Sequence, residues 1–249
     1  MSQMAPSVDR SSSTDRTNFA NTFISYYTWG QVIGLGLDLT LRERSDGRVT
    51  LDDFMRALWD KYGRPGTKMP GFVETPYTLS DLKSVLSAVS GDAAFAQDFF
   101  ARYIEGREVM EYAPLLNRAG LVLRRHAAGR AWAGPLRTQD TQTGARVVSD
   151  SLFGTPAYQA GLDRDDIIVS IAGSKTATSA DVERAIATRK PGDSLQVVYD
   201  RHGERITSIL KLGEDPSIEL VPAEEAGQVL TDAQRKFRES WLASAARAF

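Results

Sequence analysis

Gly154-Thr155-Pro156-Ala157-Tyr158-Gln159-Ala160-Gly161-Leu162-Asp163-Arg164-Asp165-Asp166-Ile167-Ile168 is the stretch on which the fold of this chain turns. Its carboxylates, Asp163, Asp165 and Asp166, read as a solvated turn rather than an acid–base pair, since nothing apolar beside them would tune their protonation. The turn feeds a β-rich run at residues 167–171. Similar short runs follow the same texture at 145–148, 195–199 and 205–212, with one helix at 179–189 among them. Asp200-Arg201-His202-Gly203 reads as the turn of a hairpin joining the last two runs. A small sheet with an open edge and one adjacent helix forms a groove. An extended peptide can add a strand there, with main-chain hydrogen bonds giving affinity and pockets giving selectivity.

In its order of residues this stretch resembles bacterial PDZ domains, in which a glycine, a proline-alanine pair, an Ala-Gly-Leu step and an acidic turn precede an isoleucine-rich strand. Ile171-Ala172-Gly173 stands at the following turn, and Pro191-Gly192-Asp193 precedes the alternating Leu195, Val197 and Tyr199 of the last hairpin. The resemblance implies that peptides or protein C-termini are partners. It places the carboxylate-binding loop at Trp132-Ala133-Gly134-Pro135-Leu136, so that Ala133, Gly134, Leu136 and, on the helix, Ala185 are the expected peptide-binding residues. Such a loop captures a carboxylate with free backbone N–H groups. Pro135 departs from the pattern and removes one of them. Val182 and Ile186 read as core.

Upstream of residue 127 the punctuation is helical. Residues 23–44 carry Val32, Ile33, Leu35, Leu37, Leu39 and Leu41, while Gly30, Gly34 and Gly36 suggest close packing against another element. Thr50-Leu51-Asp52-Asp53 and Thr78-Leu79-Ser80-Asp81 are capping boxes. The first opens a helix with Phe54, Leu58 and Trp59 on one face, ending at Gly63. The second opens one striped by Leu82, Val85, Leu86 and Val89, ending at Gly91. Phe95, Phe99 and Tyr103 stripe a fourth helix that stops at Gly106, and a short fifth covers residues 111–119. Thr231 caps a last helix to about residue 247. The expected fold class is α+β: about five helices, then a small PDZ-like β-sandwich or barrel with one or two helices, then a C-terminal helix. The expected domains are a disordered tail at 1–17, a helical segment at 18–126, a PDZ domain at 127–214, and a linker with the C-terminal helix at 215–249.

Composition excludes several function classes. Hydrophobic residues are 42% of the chain, enough to bury a sizeable core, and the net charge of −2 gives no footprint for nucleic acid. There is no cysteine, hence no disulfide and no thiolate ligand or nucleophile. The two histidines, His126 and His202, lie far apart, so no metal site is expected within the chain. No apolar run is long enough to span a membrane, and the polar N-terminus lacks the core of a signal peptide. The chain therefore reads as soluble, with its compartment undetermined.

Asn18-Phe19-Ala20-Asn21-Thr22-Phe23-Ile24-Ser25-Tyr26-Tyr27-Thr28-Trp29-Gly30, with Leu37-Asp38-Leu39-Thr40-Leu41-Arg42, resembles the glycyl aminopeptidase family of gluzincin metallopeptidases. Tyr103-Ile104-Glu105-Gly106-Arg107-Glu108, Ala119-Gly120-Leu121 and Thr231-Asp232-Ala233-Gln234-Arg235 extend the resemblance over residues 17–242. It implies a helical segment that follows a zinc-binding helix and precedes a PDZ domain. It also makes Tyr27, in Tyr27-Thr28-Trp29-Gly30, the catalytic donor to a developing oxyanion. The zinc motif of those enzymes is absent from this chain. Zinc is implied for full-length relatives, no cofactor is expected here, and the chain by itself is expected not to hydrolyse peptides. The alternative is a stand-alone PDZ module on a helical scaffold. Further partners would be the missing catalytic portion, or a second copy paired through the helical face.

Two weaker signals are set aside. Residues 46–53 mimic half of an EF-hand loop, but Arg42 and Arg44 occupy the first ligand positions. Gly34-Leu35-Gly36 lacks the strand–turn–helix frame of a dinucleotide loop. Arg124 and Arg125 read as a solvated linker face.

Overall fold

The computed structural model describes residues 19–22, 25–64 and 75–243. The tail expected at 1–17 lies outside them, as do residues 244–249 at the expected end of the last helix. The fold is α+β, and the described residues divide into two compact units. The first is made of residues 25–124 and 220–243, the second of 19–22 and 125–219. In chain order the helices before the sheet are α1 (Phe19–Thr22), α2 (Tyr26–Ser45), α3 (Leu51–Leu58), α4 (Leu79–Ser90), α5 (Ala93–Phe99) and α6 (Tyr112–Arg118).

In the first unit, α2 starts where the Ser25 hydroxyl accepts the Thr28 N–H, and it ends at Asp46 in the left-handed conformation. Asp38 holds two elements together. Its carboxylate accepts Arg42 Nε at 2.9 Å on its own helix and the Leu51 N–H at 2.9 Å at the start of α3. Both expected capping boxes form: Thr50 with Asp53, and Thr78 with Asp81. The glycines of α2 differ from one another. A Cβ on Gly36 would collide with Met110 Sδ, so close packing holds there, whereas Gly30 has open space.

Two helices run on into wide turns that periodicity does not reveal. Residues Trp59–Gly63 extend α3 and Phe100–Ile104 extend α5 as π-helix, each closed by an i→i+5 bond: Arg64 N–H to Trp59 O at 2.7 Å, and Glu105 N–H to Phe100 O at 2.8 Å. The segment around residues 105–108 finishes the second of these. A Cβ on Gly106 would collide with the carbonyls of Ala101 and Arg102, and Glu105 and Glu108 pair with Lys83 and Arg102. The core of the unit joins Leu37, Leu41, Phe54, Val85, Leu86 and Phe99. Trp59, expected on the apolar face of α3, is 59% exposed.

The second unit holds a sheet with strand order β3-β4-β5-β7-β8, where β3 is Thr138–Asp140, β4 Ala145–Val147, β5 Ile167–Ile171, β7 Ser194–Arg201 and β8 Glu204–Lys211. It is an open antiparallel sheet, not a closed barrel. The turn His202-Gly203 closes β7 onto β8 with both residues at positive φ, 53° and 87°, the hand a two-residue hairpin needs. Short β6 (Ser174–Lys175) pairs with β5. Helix α7 (Pro156–Gln159) starts at Thr155, and α8 (Ser179–Ala187) starts at a third capping box, Thr178 with Asp181. Ile168, Ile171, Val182, Leu195, Val197 and Leu210 form the core. Asn21 of α1 belongs here too. Its amide donates to Ser151 O at 2.9 Å and accepts the Phe153 N–H at 2.7 Å.

The acidic stretch read as a linker after residue 213 contains strands. β2 (Ala131–Trp132) pairs with β9 (Gly213–Glu214), and β1 (Leu121–Arg125) with β10 (Ile218–Pro222). Arg124 and Arg125 thus lie on a strand rather than a linker face, and the Arg125 guanidinium donates to Asp215 O. The last helix, α9 (Asp232–Leu242), starts at a capping box of Thr231 with Gln234. No described helix is long and apolar enough to cross a membrane.

Candidate functional site

The second unit has an unspent sheet edge beside a helix. Val147 gives its N–H to Asp166 O at 2.8 Å and its C=O to the Asp165 N–H at 2.9 Å, both on the side away from β3. Thr138, opposite Val147, is therefore in a non-hydrogen-bonded pair and turns its own N–H and C=O to the outer edge. Thr141 N–H bonds Gly144 O at 2.9 Å, which puts Asp140 in the same phase, two residues on. The edge of β3 thus offers backbone donors and acceptors at alternate residues.

The loop before β3 adds donors. Ala133 and Gly134 give their N–H groups to no acceptor among the described residues, although Ala133 is buried. Two neighbours are spent: Pro135 has no N–H, and Leu136 gives its own to Gly134 O at 2.7 Å. Ala133 O accepts the Ala157 N–H at 2.7 Å, anchoring the loop to α7. Gly134 sits at φ 113°, and a Cβ there would lie 3.1 Å from Thr155. Adjacent unspent backbone N–H groups are donors of the kind that can hold an oxyanion.

A cavity of about 580 Å³ lies between this loop and α8. Ala133, Gly134 and Leu136 line one side, and Ala180, Glu183 and Ile186 the other, with the Arg130 guanidinium at its rim. Three of the four expected peptide-binding residues meet here. Ala185 is not in the lining and packs against the core, while Ile186 packs against that core, as read, and lines the cavity as well. The helical phase puts successive residues of α8 about 100° apart, so neighbours face different ways. Arg130 is only 3.9 Å from Asp215, and Arg184 is engaged by Asp181 at 2.9 Å.

Residues 136–212 match the family model of the PDZ domain. This unit is a PDZ domain. Over 82 residues the chain is 30% identical to the serine protease Do-like HtrA of Lactococcus lactis subsp. cremoris (strain MG1363), covering 33% of this chain and 20% of that protein. It is 30% identical over 92 residues to a probable periplasmic serine endoprotease DegP-like of Rhizobium meliloti (strain 1021), covering 37% and 18%. The chain therefore spans about a fifth of the length of these curated relatives. A crystal structure of an aminopeptidase N family protein from Idiomarina loihiensis superposes with a TM-score of 0.58 at 23% identity, over 88% of this chain and 37% of that one. At that identity the likeness is one of fold.

The acidic turn of the PDZ unit is not all solvated. Asp166 is 1% exposed and takes a fork from Arg201, Nε to Oδ1 at 2.8 Å and a terminal nitrogen to Oδ2 at 2.7 Å, while its carboxylate also accepts the Asp163 N–H. This contact, 35 residues apart in sequence, is structural.

Tyr27 lies in the first turn of α2, 71% exposed, its ring against that of Tyr26 with centroids 4.4 Å apart. Tyr26, Met55, Trp59 and Val109 of the same unit are also exposed. Among the described residues no group of three or more His, Asp or Glu side chains converges as a metal site. The zinc implied by the aminopeptidase resemblance thus has no ligand set among them. A second cavity, about 680 Å³, lies where α9 meets α2 and α6, but Arg42, Arg118 and Lys236 in its lining are each paired, with Asp38, Glu43 and Asp46.

Proposed function

We propose that the PDZ unit captures the free C-terminal end of an extended polypeptide as a strand added to β3. The observation that carries this reading is the pair of unspent N–H groups at Ala133 and Gly134, placed at the head of the unspent edge of β3. The carboxylate would sit on those two donors, with Arg130 at the rim, and the terminal side chain in the cavity between Leu136 and Ile186. Two donors replace the larger set that an N–H at residue 135 would complete. The test is selection, on the full chain, from a random peptide library displayed with free C-termini. Binders should emerge and should be lost on Gly134→Ala, whose Cβ would lie 3.1 Å from Thr155 at a φ side chains rarely adopt. Recovery of no binder would reject the reading.

The second reading concerns the chain around that groove. We infer that it is the C-terminal part of a glycyl-aminopeptidase-like zinc metallopeptidase. Support comes from the shared fold over 88% of the chain and from a Tyr27 phenol left in the open, where it can meet a group outside this chain. In that setting Tyr27 would donate to the oxyanion of a substrate carbonyl. A glycine-anilide assay with zinc supplied tests it. Turnover should be absent from the chain alone. With a zinc-bearing catalytic portion of such an enzyme supplied in trans, turnover should appear, and turnover that survives Tyr27→Phe would remove the role given to the phenol.

A further inference from the structure

The groove has an end. Asp140, the last residue of β3, accepts two hydrogen bonds through one oxygen: from the Ser179 N–H at 2.7 Å and from the Ser179 hydroxyl at 2.7 Å. Ser179 is the first residue of α8. Strand and helix, the two walls of the groove, are thus bonded to each other at the end opposite the Ala133–Gly134 donors. The cavity lining agrees. It includes Ala180 but neither Ser179 nor Asp140.

We propose that the Asp140–Ser179 clasp fixes the length of peptide that the groove accepts, a property that rests on the peptide-capture reading above. From Leu136 to Asp140 the edge is four residue steps, about 13 Å at ~3.3 Å per residue. An antiparallel strand laid on it from the carboxylate donors covers about four residues before it meets the clasp. Residues further from the C-terminus leave the groove and add no ladder bonds. Asp140 and Ser179 act here as specificity-determining residues, because they decide where the added strand stops. The clasp occupies a free N–H at the start of α8, beside the helix's capping box. The N-terminus of α8 keeps its own capping box, with the Thr178 N–H bonded to Asp181 at 3.0 Å.

The experiment takes an octapeptide recovered from the C-terminal library and cuts it back from its N-terminus, one residue at a time, measuring affinity for the full chain. Affinity should hold within about twofold from eight residues to four and fall at least tenfold at three. In Asp140→Ala, the five- to eight-residue peptides should gain severalfold over the four-residue one. Asp140→Asn, which keeps the acceptor oxygen, should restore the cut-off and so excludes a mere loss of folding. Affinity that climbs steadily to eight residues in the unaltered chain, or a cut-off unmoved by Asp140→Ala, would overturn the clasp while leaving peptide capture standing. A library that yields no octapeptide overturns both.

Discussion

Arg201 grips Asp166 from the far end of the β7–β8 hairpin, with two nitrogens on two oxygens and a further bond to Gly161 O at 2.6 Å. The carboxylate is almost wholly buried, so it depends on that partner. Hydrogen bonding to Asp166 raises the guanidinium further above its already high ordinary value.

Removing only the arginine should leave a buried, uncompensated charge. Arg201→Met is expected to destabilise the PDZ unit by about 3–5 kcal/mol. Asp166→Asn with Arg201→Met should recover part of that loss. Urea unfolding of both variants measures it, and an additive pair would mean the fork is not coupled.

The clasp and two capping boxes, those of Asp181 and Asp81, share an acid limit. Bonds from Ser179 hold the Asp140 carboxyl below its ordinary 3.8, and bonds from Thr178 and Thr78 do the same for Asp181 and Asp81. For a lowered carboxyl, the stabilisation is complete above the ordinary value and is lost as pH falls through the lowered one. Helicity should therefore be flat from pH 7 to about 4 and decline below it. Thr178→Ala should flatten part of that acid limb in a circular dichroism titration.

Helix α9 has no buried residue and is held by polar contacts, in which Arg238 makes the most bonds. Arg238 donates to Ala119 O at 2.7 Å and Gly120 O at 2.6 Å, carbonyls just past the end of α6, and pairs with Glu224, whose carboxyl it keeps below the ordinary range. Arg238→Ala should release α9. Trypsin should then cut at Arg235 and Lys236 about tenfold faster or more, since each 1.4 kcal/mol lost from local closure raises the open population tenfold. Amide exchange in β7–β8 should stay unchanged. Unaltered cleavage would mean that Gln234, bonded to Asn117 O, suffices.

Much of this architecture was legible in local chemistry. Thr50 with Asp53, Thr78 with Asp81, and Thr231 as a cap announce helices because each bond closes within four residues. His202-Gly203 announces its hairpin in the same way. What escaped depends on partners far away in sequence. β1 finds β10 and β2 finds β9 across the whole intervening unit, and strands of two residues leave no alternation to read. Asp166 looked solvated because Arg201, which buries it, is 35 residues on. The clasp was missed for the same reason, since Ser179 lies 39 residues from Asp140. Ile186 packs against the core as read but also lines the groove, a double role that helical periodicity does not show.

The most direct measurement is a titration of the isotope-labelled full chain with a library-selected peptide, as the free acid and as its C-terminal amide, following backbone amide resonances. Charge-assisted hydrogen bonds are worth about 1.5–3 kcal/mol. The acid should shift the Ala133, Gly134 and Thr138 amides and bind at least tenfold tighter than the amide. Equal affinity for the two forms, or shifts that bypass Ala133 and Gly134, would contradict capture of a free C-terminus in this groove.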